Sequence, residues 1–242
     1  IYILRANHHY QPEIFANVTL HGRRNTGASL GNIVYDKWHH QLFVSDLETG
    51  MIHRIDISTA KDRGYFDHGV NGRHDFINEI TGKVNSLPAI GFNSATKANT
   101  QHCATSFDTT PHCWNLADLR RRVYGLGIYR FSTGRVRLYY SAHVNKSDKQ
   151  SAIWSIGITK NGRFNRKDVR LEFMLPSNVG DSQSFVSDIA FSNKGEMLVA
   201  ETGPFRNLGL GQTAPFHQPH NARLFLYVTN ADGLWQPRGQ YN

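Results

Sequence analysis

The chain has 242 residues, 39% of them hydrophobic and 19% charged, with 27 Lys and Arg against 19 Asp and Glu for a net charge of +8. That balance excludes a disordered chain, and no window reaches the roughly 18 consecutive apolar residues of a membrane helix. The length suits one all-β domain or two smaller ones.

The chain opens on the strand-like Ile1-Tyr-Ile-Leu4 rather than on Met, so it reads as a processed product or a piece of a longer chain. Four short strands follow in about forty residues. They are Leu30–Asp36, Gln41–Asp46, the alternating Met51–Asp56, and Gly64–His68, joined by turns of two to five residues. That is the size of one propeller blade. A looser copy runs from Val123–Tyr129 through Arg135–Tyr140 and Ala152–Gly157 to Val169–Phe173. A third copy holds Ser187–Ser192, Glu196–Thr202 and Ala222–Val228. The pattern predicts one all-β domain over 1–242, or a fragment of one: a β-propeller with about three visible blades, too few to close a ring. Two long inter-blade excursions cover about 70–116 and 203–221. Long loops in compact β-domains carry binding roles or cover an edge. Helix is expected in one place only, Asn115–Val123, where Leu116, Leu119 and Val123 share a helical face behind Asn115 as N-cap.

Cys103 and Cys113 stand in the first excursion. A disulfide between them would stiffen that loop by roughly 2–3 kcal/mol in the chain-entropy model and place the chain in an oxidising compartment. Two reduced thiols, or a zinc site with His102 and His112, are the other readings, though zinc sites favour closer pairs such as Cys-x-x-Cys. Sequons at Asn17 and Asn145 fit an exported chain.

Arg120, Arg121 and Arg122 form the only compact cationic run. They read either as an anion-binding site or as a solvated cationic turn. The remaining Lys and Arg are scattered along the sequence. Without a basic stripe interleaved with aromatics, nucleic acid is not the expected partner. Weak attraction to acidic glycans, anionic surfaces or acidic proteins is. Asp46, Glu48, Asp188 and Glu201 fall near blade ends, where they either gather into a binding site or cap turns. The four Trp residues read as blade-packing or loop-anchoring groups.

The run Leu30–Asp36, Gln41–Asp46, Met51–Asp56 resembles a blade of the six-bladed NHL and gluconolactonase-like (senescence-marker) propellers. Phe185–Ala200 looks like a second, so the resemblance implies that these blades are part of a six-bladed ring. Such motifs specify fold far better than activity. The lactonase branch implies a divalent metal, such as calcium, held by a Glu, an Asn and an Asp on three inner strands. Asp188 matches the Asp. The Glu position falls on Asn32 and the Asn position near Gly125. Hard cations want several oxygens and more than one carboxylate, so one ligand of three is retained. The expectation is therefore a non-catalytic propeller without a cofactor: an exported, extracellular, cell-surface or periplasmic module. It contacts protein or glycan, alone or in a larger assembly with other chains or further blades. Its alternative is a metal-dependent lactonase or hydrolase with its site in the central funnel.

Overall fold

The computed structural model describes residues 1–20, 23–24, 30–92, 116–145, 147, 150–177, 185–202 and 222–241. Cys103, Cys113 and the whole second excursion lie outside the described residues.

The fold is an all-β propeller. The N-terminal segment makes two short hairpins, β1 (Tyr2–Leu4) with β2 (Pro12–Ile14) and β3 (Thr19–Leu20) with β4 (Arg23–Arg24). Blade one is the antiparallel meander β5 (Leu30–Asp36), β6 (Gln41–Asp46), β7 (Met51–Asp56) and β8 (Asp62–Asp67). Alternation sends Phe43, Ile52 and Phe66 to one face of this sheet. Val44 and Ile55 go to the other face, where Ala16 and Val18 cover them.

A π-helical turn, His68–Gly72, leads out of blade one into β9 (Phe76–Asn78) and β10 (Lys83–Asn85). The start of the first excursion is thus a hairpin rather than a loop. Through β9 it joins the outer strand of blade two in parallel, Arg170 opposite Ile77 and Leu171 opposite Asn78. Blade two itself is β11 (Leu126–Arg130), β12 (Val136–Ala142), β13 (Ala152–Ile158) and β14 (Phe164–Met174), so its sheet has six strands. Blade three is β15 (Phe185–Phe191), β16 (Met197–Thr202), β17 (Arg223–Thr229) and β18 (Trp235–Tyr241). Its fourth strand was not read from the sequence. β18 carries Pro237 opposite Tyr227 and beside a register shift, on an edge strand, the setting in which a sheet tolerates proline.

The helix expected at 115–123 does not form over the described residues 116–123. A turn replaces it: Arg121 and Arg122 both donate backbone N–H to Asp118 O, and Ala117 N donates to Leu47 O of blade one at 2.8 Å. These tertiary bonds outweigh a weak amphipathic pattern.

The blades pack face to face. Phe43, Ile52 and Phe66 meet Leu138, Tyr140, Trp154 and Ile156 between blades one and two. Tyr139, Ile153 and Phe173 meet Val199, Phe225 and Tyr227 between blades two and three. The first strands β5, β11 and β15 touch one another pairwise. Three meanders with their first strands gathered on one axis is the radial plan of a propeller.

Candidate functional site at the axis

The inner strands meet more closely than side chains would allow. Gly125 N donates to Val186 O at 2.9 Å, and a Cβ on Gly125 would lie 2.8 Å from the Val186 side chain. Ser45 Oγ donates to Tyr124 O at 2.9 Å, tying β6 to the approach to β11. Asn32 on β5 reaches across to β15, its Nδ2 donating to Ser187 O at 2.8 Å and to Asp188 Oδ1 at 3.0 Å. Residues 32, 125 and 188 therefore lie close together at the axis.

Those three positions do not fit a divalent cation. The group Asn32 turns toward Asp188 is its nitrogen, while its Oδ1 accepts from Ile33 N. Asp188 Oδ1 also accepts from Ile189 N at 2.9 Å. Gly125 supplies no side chain. The set offers one carboxylate, already engaged by two donors, where a hard cation needs several free oxygens.

The other candidates surround the mouth of the axis, the end where β5, β11 and β15 begin. Asp46 is buried at the end of β6, accepting from Glu48 N at 3.0 Å and from the Thr49 hydroxyl at 2.7 Å. Burial is the main influence on its carboxyl and pushes its pKa up. Glu48 is buried in the same turn. The cationic run divides three ways. Arg120 is half-exposed and grips Asp118, both contacts at 2.9 Å. Arg121 is buried and donates to Thr49 O at 2.8 Å, to Ile90 O, and to Asp67 Oδ1 at 3.0 Å. Arg122, also buried, donates to Ala117 O at 2.8 Å. Glu201 is separate, on blade three, buried and bound by Arg223 Nε at 2.7 Å. The structure thus joins Asp46, Glu48 and Arg121 through one turn. Asp188, Glu201 and Arg120 stay apart from it.

Sequence reasoning missed the buried histidines. His53, on the alternating strand β7, is fully buried with Nδ1 2.6 Å from Asp62 and Nε2 3.8 Å from Asp46. His68 is fully buried, with Nδ1 3.1 Å from the Tyr140 hydroxyl and its ring 4.7 Å from that of Trp154. Burial, with the Arg73 and Arg121 charges in addition, lowers its pKa to about 3, so it is neutral. The strand period of His53 was a usable signal, since it places that residue on the same face as Val44 and Ile55.

No protein-family model matches this chain, and no curated protein does. Among solved structures, one from Lactobacillus plantarum aligns at TM-score 0.34 and 10% identity over 93% of this chain and 59% of the other. The chain thus spans 59% of that protein's length. An endo-arabinase from Bacteroides thetaiotaomicron aligns at TM-score 0.34 and 15% identity over 87% of this chain and 79% of its own.

Proposed function

We propose that this chain is a non-catalytic propeller unit of the NHL and gluconolactonase-like kind, acting as an exported binding or structural module that contacts protein or glycan. The observation that carries this reading is the internal bond at the axis. Where the resembling enzymes place an ion cage, Asn32 hands an amide N–H to Asp188. The turn residues around the mouth support it, because Asp46, Arg121 and Arg122 spend their polar atoms on the protein's own backbone and side chains.

Membership of a larger assembly, with other chains or further blades, belongs to the same reading. It is supported by the outer face of blade three, where the cross-strand neighbours Ala190, Leu198 and Leu226 bring apolar groups to the surface.

The metal-dependent lactonase remains the competing reading, favoured by the position of Asp188 at the axis. Calcium titration of the purified chain, together with a sugar-lactone hydrolysis assay, separates the two. The module reading expects no saturable calcium binding, no turnover, and a thermal midpoint indifferent to EDTA. Stoichiometric calcium binding lost in Asp188→Ala, with lactone hydrolysis, would overturn it.

A further inference from the structure

The end of the molecule opposite the mouth gathers what the sequence scatters. Six hairpin turns finish there, at 37–40, 57–61, 131–135, 159–163, 192–196 and 230–234. Lys37, Arg130, Arg135, Lys160 and Arg163 are exposed on or beside the turns of blades one and two. None of the five has a carboxylate in ion-pair range among the described residues. Nearby carboxylates are engaged: buried Asp36 caps Trp38 N and His39 N, and Asp56 accepts from Thr59 N and Arg63.

The cations of the two blades form one surface. Lys37 Nζ lies 5.3 Å from the Trp38 ring centre, and the Arg130 guanidinium from blade two lies 5.9 Å from the same ring. Gln41 Nε2 donates to Gly162 O at 2.9 Å, binding the 159–163 turn against the 37–40 turn. Half-buried Arg54 nearby is less basic than usual, through burial first and then the fields of Arg163 and Arg63, with Asp62 and Asp56 acting the other way.

We propose that this tip face binds an acidic polysaccharide, a carbohydrate carrying carboxylate or sulfate groups along its length, through Lys37, Arg130, Arg135, Lys160 and Arg163. The inference rests on the binding-module reading and names its surface and partner class. Uncompensated Arg and Lys on neighbouring turns complement spaced anionic groups. Single-stranded nucleic acid fits less well, because it needs open aromatic faces for stacking, and duplex DNA is the competitor the test below includes. Here the Trp38 ring is occupied by two cations and the Phe131 ring by Arg135 at 5.4 Å.

The test is binding of fluorescent heparin, polygalacturonate, neutral dextran and duplex DNA to the purified chain across a salt series. Heparin and polygalacturonate should bind, weakening steeply with salt, and dextran should not. The triple variant Arg130→Glu, Lys160→Glu, Arg163→Glu should weaken heparin at least tenfold, while Lys83→Glu on β10 leaves it unchanged. If circular dichroism shows the triple variant unfolded, Lys160→Glu alone carries the test with a two- to threefold loss, since its exposed side chain makes no hydrogen bond among the described residues. Dextran binding equal to heparin, duplex DNA competing out heparin at equal concentration, or variants that bind as the parent does would each overturn the proposal. Calcium-dependent lactone turnover would sink the module reading while leaving this salt-dependent binding intact, so the two failures are distinguishable.

Discussion

Arg121 is 1% exposed, and its guanidinium holds together the 46–50 turn, the segment at Ile90 and Asp67. A buried guanidinium is tolerated only when its donors are matched. Arg121→Met would leave Asp67 buried without its cation, at a cost of about 3 kcal/mol. Urea denaturation should show that loss directly. Were Arg121 a ligand-binding group, the variant would keep its stability and lose only affinity. The pH dependence follows from His68. Its pKa in the fold is about 3 against an ordinary value of 6.5, so above about pH 6.5 neither folded nor unfolded chain holds the proton. Below that, the unfolded chain takes up a proton that the folded chain refuses. Stability therefore falls with acid by up to about 1.4 kcal/mol per pH unit between the two values. Urea midpoints between pH 7 and pH 4 should show that slope, and His68→Gln, which removes the titrating group, should flatten it. At this scale the sequence was least legible. Three consecutive arginines looked like one cationic feature, yet strand ends and turns aim successive side chains in different directions. One ended on a half-buried aspartate, Asp118, and two were buried.

The elements were far more legible, because period-two patterns and Gly-containing turns are local signals. The left-handed backbone at Gly162 and Gly195, φ +72° and +82°, closes two of the expected hairpins. What escaped was either interrupted or non-local. β14 is one strand from Phe164 to Met174, with register shifts opposite it that break the alternation. The β9–β10 hairpin joins blade two through non-local contacts: a parallel pairing, Phe76 packed on Trp154, and the Glu79–Arg170 contact at 2.8 Å, 91 residues away in sequence. The axis itself depends on glycine in β11. A Cβ on Gly127 would stand 2.5 Å from Ile189 O of blade three. That is a backbone atom with no freedom to swing aside. Gly127→Val should push β11 and β15 apart and cost about 2–3 kcal/mol, in the range of overpacked cores. Because Asn32 bridges to β15 near the same level, the change should also raise the hydrogen exchange of the Ile189 amide, which donates to Asp188. Unchanged stability in Gly127→Val would mean the inner strands do not meet as described.

At the scale of the whole molecule, the two sides of blade three differ. Phe225 and Tyr227 on β17 are buried against blade two, while Leu224, Leu226 and Val228 point the other way and are only half-buried. A strand apolar on both faces is the pattern of a sheet packed between two neighbours. A sheet facing water would alternate apolar with polar. The sequence carried this information in Leu224-Phe-Leu-Tyr-Val228, but periodicity alone does not say which face is covered. Two truncations measure the difference. Phe225→Ala removes a side chain that is 1% exposed and should cost about 3–5 kcal/mol. Leu226→Ala acts on the open side and should cost about 1 kcal/mol or less in the isolated chain, since part of its surface is already in water. Equal losses in a urea titration would show that the outer face of blade three is covered in solution. A loss for Leu226→Ala that grows with protein concentration would identify that cover as another copy of the chain, because only association makes stability depend on concentration.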